Sequence, residues 1–484
     1  GKKMFYKNKK GFVLLVLTLF LFGSILVPSF SGKIQKNNLE IKYKQSSSSS
    51  IYDLLIITPT EFKALLEKLK NHKNSVGVKT KILTLSEIYG HYIFGRDNPE
   101  KIKYAIKDAY DDYGIKYVLL VGSYKKMPVR YVHNADLTFE AYLEPKYISE
   151  LYYADIYNSE NEFQTWDSDG DGVFGEWIVG KSSARDTFID LYPDVYVGRI
   201  ACRNIFEVMI MVDKIIKYET QTYGSDWFDR FVVAAGDTYP EGDYPFNTSG
   251  YEGEENTLHA IENMTSFDPV KLWISNDKFN GPEDVINEIN KGCGLMFFDG
   301  HASPISWGTH PYNSHEFQYG LRNMDMWKLT NLYKMPVVVA GACHNAQFDI
   351  TPLNLLKHPR TSFRHGTWAL ECWAWKFTSK PFGGSIATIA NTGLGMSKED
   401  KVSMEGAGDF MDLQFFYVYG NGESDILGEC WGKAVSRYVD AYPVNWTISD
   451  ESEYVYDNKY DLKTPQQWTL LGDPSLKIGG YDLN

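Results

Sequence analysis

Apolar strands that alternate with amphipathic helices constrain the fold of this chain more than any other feature. YDLLIITP is followed by the helical pattern EFKALLEKLKNHKNSVG, the strand pattern VKTKILTLSEIY, the helical pattern NPEKIKYAIKDAYDDYG and the strand KYVLLVG. Gly77 and Gly114 close the two helical patterns, and Pro99 stands early in the second, as expected at helix boundaries. Continuous apolar strands joined by helices of this length predict a parallel sheet covered on both faces.

The same rhythm occurs twice along the chain. The first series continues through DVYVGRI and FEVMIMVDKIIKYE, and a second series begins at WFDRFVVAAGD with later strands at VKLWIS, GLMFFDGH and PVVVAGAC. A length of 484 residues allows about three domains of roughly 150 residues, or two larger ones. We predict an α/β fold of two consecutive α/β subdomains, residues 51–224 and residues 225–484, each with a mostly parallel sheet flanked by helices.

Composition excludes several classes of protein. Hydrophobic residues make up 43% of the chain and charged residues 23%, which argues against a disordered or collagenous protein. The formal net charge of -13 repels phosphate backbones, so nucleic acid is not expected as a general partner.

The first 32 residues have the pattern of a targeting segment. Several lysines precede the apolar run GFVLLVLTLFLFGSILVP, and Ser29-Phe30-Ser31 follows as a cleavage site for a signal peptidase. The run of about 18 residues is also long enough to span a bilayer as an uncleaved anchor. We therefore expect residues 1–32 to be a signal peptide or membrane anchor, residues 33–50 to be a polar linker, and the protein to be secreted or anchored at the cell surface.

An Asp-rich loop, DSDGDGVFGEW, lies within the first series. Asp167, Asp169 and Asp171 alternate with small residues before a turn, which resembles the first half of a calcium loop. A standard helical calcium hairpin is excluded because Ile178 stands where its bidentate Glu belongs and Glu176 comes two residues early. A solvated turn held by Asx hydrogen bonds is one interpretation. A structural calcium site of these three aspartates and Glu176 is favoured, because carboxylates this close repel one another without a cation.

Two strand ends in the second series carry a complementary pair of side chains. GLMFFDGH ends in His301 and PVVVAGAC ends in Cys343, and the carboxyl edge of a parallel sheet is where binding sites form. A thiol becomes a strong nucleophile when an imidazole takes its proton, and the imidazole then protonates the leaving amine. Taken singly, such a His is usually structural and such a Cys is usually buried and inert. Their shared placement, in a chain with an odd number of cysteines, favours a catalytic pair.

An acidic residue that orients the imidazole is expected near the same edge. FVVAAGD ends in Asp237, and Asp299 lies two residues before His301. Asp299 is expected to point away from the His on a strand, so Asp237 is preferred.

DGHASPISWGTH, AGACHNAQFD and TLLGDPSL together resemble the catalytic domain of the gingipain-like cysteine peptidases of the caspase-like clan. The first series, with YYADIY, the Asp-rich loop and PDVYVGRI, is similar to the family in the same order. The resemblance implies a caspase-like second subdomain in which Cys343 is the nucleophile, His301 the general base and acid, and Asp237 the triad acid. It also implies an oxyanion hole made of the backbone amides of Cys343 and Ala302. The family usually has Gly at the position of Ala302.

The resemblance implies less about the substrate. Arginine-specific members carry an acidic residue near a helix that YEGEENTLHAI resembles, but Tyr251 is the best match to that position here. The neighbours Glu252 and Glu254, together with Trp307 and His344, are expected to contact protein or peptide substrates. An endopeptidase without an organic cofactor is the leading hypothesis. A transpeptidase that uses the same Cys-His pair and a catalytically silent, calcium-binding surface module are the alternatives.

Overall fold

A computed structural model describes residues 51–134, 144, 146–179, 185–240, 250–397, 406–452 and 454–483. The predicted targeting segment and linker at residues 1–50 lie outside these residues. Within the described part of the chain, no helix combines the length and apolar character needed to cross a membrane.

Ten strands form one continuous sheet in the order β2-β1-β3-β6-β15-β14-β13-β9-β7-β8, and two smaller sheets contain β10-β11-β12 and β4-β5. The strands are β1 (Leu54–Thr58), β2 (Thr80–Thr84), β3 (Tyr117–Val121), β4 (Tyr131–Val132), β5 (Tyr147–Ile148), β6 (Tyr196–Ile200), β7 (Arg230–Ala235), β8 (Asp268–Trp273), β9 (Leu295–Asp299), β10 (His301–Ser303), β11 (Ser306–Thr309), β12 (Gln318–Arg322), β13 (Val337–Gly341), β14 (Ala387–Asn391) and β15 (Trp468–Leu471).

Helices cover the faces of the large sheet. They are α1 (Lys63–Ser75), α2 (Leu85–His91), α3 (Asn98–Tyr113), α4 (Leu151–Ala154), α5 (Ile205–Gln221), α6 (Glu252–Asn263), α7 (Pro282–Lys291), α8 (Asn354–Lys357), α9 (Pro359–His365), α10 (Trp373–Ser379), α11 (Ala407–Gly420), α12 (Leu427–Ala441) and α13 (Val455–Gln467), with single 3₁₀ turns at Thr60–Phe62 and Met326–Lys328.

The direction of the strands divides the large sheet into two halves. Strand β15 runs parallel to β6 but antiparallel to β14, so β2, β1, β3, β6 and β15 point one way and β14, β13, β9, β7 and β8 point the other. The carboxyl ends of the two halves therefore lie at opposite edges. Both predicted series contribute strands to this one sheet. The subdomain boundary at residue 224 stays a prediction.

Local sequence explains most element boundaries. Asp97 caps α3 by accepting a hydrogen bond from the Glu100 amide, and Gly114 ends this helix in the left-handed conformation with φ +70°. The continuous strand predicted at VKTKILTLSEIY is wrong in its second half, because β2 stops at Thr84 and α2 begins. Thr84 and Glu87 form a reciprocal capping box, which starts a helix within an otherwise strand-like run.

Candidate active site

Neighbouring strands bring Cys343 and His301 to one edge of the sheet. Strands β9 and β13 pair in parallel with Asp299 opposite Gly341, and each candidate residue follows two positions later in its own chain. The amide of Gly300 donates a hydrogen bond to the Gly341 carbonyl over 3.4 Å, which keeps the two strand ends together past the last pair. The ends of β9 and β13 therefore lie side by side, as predicted.

Cys343 differs from the other four cysteines in its exposure. All five are free thiols, but only Cys343 is partly exposed, with its Sγ 3.9 Å from the Gly395 carbonyl oxygen. Burial raises the pKa of Cys293 and Cys372 to about 12 and that of Cys202 well above the ordinary value. Of the five thiols, Cys343 is the one whose surroundings suit a nucleophile.

A strained turn presents the Cys343 thiol. His344 adopts φ +58°, a left-handed conformation that is uncommon for a residue with a side chain. The turn is held by the hydrogen bond from the His344 amide to the Gly393 carbonyl (2.8 Å) and by the Asn391 side-chain amide, which donates to the Ala342 carbonyl (3.0 Å). Both contacts come from the end of β14, so the neighbouring strand fixes the position of the nucleophile.

The His301 ring is held by a backbone carbonyl. Its Nε2 lies 2.6 Å from the Thr238 carbonyl oxygen, and Tyr239 packs edge-on against the ring with centroids 6.0 Å apart. A carbonyl only accepts hydrogen bonds, so Nε2 carries the proton. In the neutral ring Nδ1 is therefore the basic nitrogen.

The Asp237 carboxyl, predicted to orient the imidazole, is engaged elsewhere. Its Oδ2 accepts a hydrogen bond from the Asn313 amide (2.6 Å), and its backbone pairs with His310 in an isolated bridge. The orienting contact to His301 comes instead from the next residue, Thr238, through the main chain. A backbone carbonyl leaves no mark in the sequence, which is why the sequence pointed to the adjacent carboxylate.

The Glu252 carboxylate holds the main chain at Thr238. Its expected role as a substrate contact is therefore corrected. One of its carboxylate oxygens accepts a hydrogen bond from the Thr238 amide (3.2 Å), and its carboxyl also hydrogen-bonds to that of Asp237. Burial, followed by repulsion from Glu252, raises the pKa of Asp237 to about 6. The two carboxyls together hold Thr238, the residue whose carbonyl positions His301.

Two other predicted substrate contacts belong to the scaffold. Glu254 is buried and accepts hydrogen bonds from the amide (2.9 Å) and the hydroxyl of Ser275. Trp307 is 0% exposed and packs against Phe279 and Phe298, with ring centroids 5.6 and 4.9 Å apart. Trp307 pairs with Ala302, the residue after His301, so the indole lies on the face of the hairpin opposite the imidazole. Both assignments to the substrate site are therefore wrong.

His344 remains a candidate substrate contact, and Ala302 keeps its predicted place. The His344 side chain is partly exposed beside the nucleophile, with Nδ1 3.7 Å from the Glu144 carboxylate, and burial lowers its pKa. Glu144 is itself fixed by the Leu394 amide (3.0 Å) and by Lys463 (3.1 Å). Ala302 is half-buried directly after His301, and its amide, with that of Cys343, stays a predicted oxyanion donor.

Further carboxyls lie beneath the Cys-His pair. The Asn256 side-chain amide donates to Asp299 (2.6 Å) and to Asp412 (3.3 Å), and burial raises the pKa of both carboxyls well above the ordinary value. Burial also raises the pKa of Asp409 to about 6, although a hydrogen bond with Ser397 opposes this effect.

The Asp-rich loop gathers acidic side chains at a second place. Oxygens of Asp167, Asp169 and Asp186 lie within 4.8 Å of one another, as do those of Asp169, Asp171 and Glu176. Burial raises the pKa of Glu176 to about 7 and that of Asp186 to about 6. Sequence analysis missed Asp186 because it lies ten residues beyond Glu176, outside any loop spacing.

The backbone of this loop fits the predicted turn. Gly170 and Gly172 have φ of +78° and +86°, and Asp167 accepts hydrogen bonds from both amides (2.9 and 3.2 Å). Such Asx contacts occur with or without a bound cation.

Comparison with known proteins shows that this chain is similar to gingipains. Gingipain R2 of Porphyromonas gingivalis is 22% identical over 432 residues, which cover 88% of this chain and 46% of that protein. Gingipain R1 of the same organism has the same identity over 34% of its length. The chain thus spans less than half the length of these curated relatives.

The crystal structure of the Arg-specific cysteine proteinase gingipain R (RgpB) superposes with a TM-score of 0.58 at 18% identity, over 90% of this chain and 80% of that one. The complex of Porphyromonas gingivalis RgpB pro- and mature domains gives a TM-score of 0.57 over 88% and 79%. These likenesses show the fold and confirm the predicted α/β class with a caspase-like, mostly parallel sheet. Residues 47–479 match the model of Peptidase family C25, and because this match spans nearly the whole chain, the protein belongs to that family.

Proposed function

We propose that this protein is a cysteine endopeptidase in which Cys343 is the nucleophile and His301 the general base and acid. The observation that carries the proposal is the placement of a partly exposed thiol and a carbonyl-held imidazole at adjacent strand ends. Membership of Peptidase family C25 supports the same chemistry.

The reaction follows from the residues at this edge. The Cys343 thiol gives its proton to Nδ1 of His301, and the sulfur attacks a peptide carbonyl carbon. The carbon-nitrogen bond breaks, the imidazolium protonates the leaving amine, and a thioester remains on Cys343. Water then attacks the thioester while His301 takes its proton, which releases the new carboxyl group and restores the thiol. The amides of Cys343 and Ala302 are proposed to bind the oxyanion in both halves.

Thr238, Asp237 and Glu252 act as positioning residues in this scheme. The Thr238 carbonyl fixes the Nε2 proton of His301, and the carboxyl pair fixes Thr238 through its amide. None of the three touches the reacting atoms in the proposal.

The test is thiol labelling combined with digestion of a mixed peptide library. Iodoacetamide is expected to alkylate Cys343 selectively and to block cleavage, and Cys343→Ala and His301→Ala are expected to lower cleavage by more than about 1,000-fold. Cys293→Ala removes a buried thiol and serves as the control that keeps activity. Full cleavage by Cys343→Ala would overturn the mechanism.

The same assay separates the two alternatives. Added amine acceptors that appear in the product would indicate transpeptidation. If protein shown to be folded is neither labelled at Cys343 nor able to cleave peptides, the catalytically silent surface module is favoured.

We infer that the Asp-rich loop binds a structural calcium ion. The residues fit the ion, because hard cations prefer carboxylate oxygens and one oxygen of the buried Glu176 carboxylate has no hydrogen-bond partner among the described residues. Asp167, Asp169, Asp171, Glu176 and Asp186 are the proposed ligands. The ion would neutralise carboxylates that otherwise hold protons or repel one another.

We also propose that the protein is exported, on the evidence of the lysine-flanked apolar segment before residue 33. Intact mass of the protein recovered from its host distinguishes a cleaved signal from a retained anchor. Recovery of the full-length chain in the cytosolic fraction would contradict export.

A further inference from the structure

Exposed aromatic side chains extend outward from the proposed catalytic imidazole. Tyr312, Phe317 and Tyr319, here called the aromatic ridge, are 52%, 37% and 44% exposed and lie on or near β12 and the loop that precedes it. Large exposed apolar side chains scattered singly are ordinary, but a connected group beside a reactive site indicates a binding surface.

Ring contacts connect the ridge to His301. The His301 and His310 rings have centroids 5.2 Å apart, His310 and Phe317 are 5.4 Å apart, and Phe317 meets Tyr319 edge-on at 4.9 Å. Tyr312 packs at 5.4 Å against Tyr251, the residue immediately before α6. Phe317 and Tyr319 are therefore connected to the proposed active site by a series of ring contacts through His310.

A glycine makes room for the central ring of the ridge. Gly308 pairs with His301 across the β10-β11 hairpin, and a methyl group at this position would come within 2.7 Å of the Phe317 ring. The Phe317 ring thus packs against the backbone of Gly308, the residue that pairs with His301. Any larger residue at position 308 would displace the Phe317 ring or the Gln318 carbonyl, which lies even closer to the same point.

Strand order determines on which side of the reacting bond the ridge lies. Strand β9, which leads to His301, separates β13, which leads to Cys343, from β7. His310 bridges to Asp237 just past the end of β7, so the ridge lies beyond His301 on the side away from Cys343. In the proposed reaction His301 protonates the leaving amine. The chain that continues from this amine therefore passes over the imidazole toward the ridge.

We propose that the aromatic ridge is a subsite for an apolar or aromatic side chain that follows the scissile bond in the substrate. This inference rests on the proposed peptidase function and adds the substrate class on the leaving-group side. Aromatic rings with fixed neighbours bury apolar area at little cost in side-chain entropy, which suits them to this role.

The test uses peptides that share one sequence before the scissile bond, chosen from the library digest, and differ only in the residue after it. We expect kcat/KM for a following Phe or Leu to exceed that for Asp by at least about 10-fold. The double variant Phe317→Ala with Tyr319→Ala is expected to reduce this ratio to about one-third or less, whereas Phe317→Leu retains most of it. Tyr223→Ala removes an exposed tyrosine from the end of α5 and is the matched control.

The ratio of two substrates on one enzyme cancels any general loss of activity. Cleavage of the peptides without preference for the following residue, or an unchanged ratio in the double variant, would overturn the subsite and leave the peptidase intact. Absence of cleavage together with an unlabelled Cys343 would instead overturn the proposed function, and the subsite with it.

Discussion

Carboxyl groups gather at two places in this protein, in the Asp-rich loop and beneath the Cys-His pair. In the loop, oxygens from three residues approach within 4.8 Å in two overlapping groups, and Asp169 and Asp171 are exposed. In the second place, the buried residues Asp237, Glu252, Asp299 and Asp412 and the half-buried Asp409 form what we call the buried acid network, which extends from the Thr238 segment to α11.

The two groups differ in what neutralises them. Within the buried acid network, burial raises the pKa of Asp299 and Asp412 well above the ordinary value and so favours their protonated forms, although hydrogen bonds donated by Asn256 oppose this effect. Among the described residues, only the loop brings acidic oxygens close enough to share one cation. The proposed calcium site in the loop therefore rests on the spacing of the oxygens and their access to solvent, more than on the number of carboxyls.

The largest expected effect comes from removing the residue that both loop groups share. Asp169→Ala is expected to abolish the rise in melting temperature that calcium gives the wild type. At 100 times Kd this rise corresponds to about 2.7 kcal/mol, or several degrees. Thermal scans with calcium and with EDTA measure it, and Asp226→Ala, an exposed aspartate outside the loop, is the control. An equal melting temperature for wild type in calcium and EDTA would identify the loop as a solvated turn.

The pH dependence of stability sharpens the comparison further. Glu176 and Asp186 have pKa values of about 7 and about 6 in the folded protein, raised from 4.5 and 3.8. The folded state therefore binds these protons more tightly than the unfolded state, and their contribution to stability, complete at low pH, is lost as pH rises through 6 and 7. In EDTA we expect the melting temperature to fall between pH 5 and pH 8, and calcium to restore it most at pH 8. A calcium effect that weakens as pH rises would contradict this assignment.

Asp237→Asn tests the part of the buried acid network nearest to His301. We expect kcat/KM to fall by less than about 10-fold, because an amide still accepts from Asn313 and donates to Glu252 while Thr238 keeps its carbonyl. A positioning role also predicts that a step in the pH profile near 6 disappears in the variant. A loss as large as that of His301→Ala would instead assign the triad acid to Asp237.

The smallest effect is expected deep in the network. Asp412→Asn replaces a carboxyl whose pKa burial raises well above the ordinary value, which favours its neutral form, so the free energy of unfolding is expected to change by less than about 1 kcal/mol. Urea unfolding at pH 7 measures this. A loss of more than about 3 kcal/mol would mean that Asp412 is ionised and paired with a cation.

Strand and helix patterns predicted most of what positions the site. The apolar runs ending in His301 and Cys343 gave the correct edge, because parallel strands place their carboxyl ends together. Asp186, the Thr238 carbonyl and the interior position of Trp307 were not predictable in this way. Each depends on a chain crossing or a hairpin register that periodicity along one segment does not record. The short helix α2 was predictable from its capping box, which the strand-like composition obscured.

Strand β15 follows every other described strand in the chain, yet it occupies the middle of the large sheet. During synthesis, a chain that has not reached Trp468 exposes β6 and β14 as two open sheet edges. The halves can be joined only when this late segment inserts between them, which makes assembly a long-range and intrinsically slow event. Because the end of β14 also fixes the turn that carries Cys343, the proposed nucleophile lies next to a strand with an open edge until β15 is inserted.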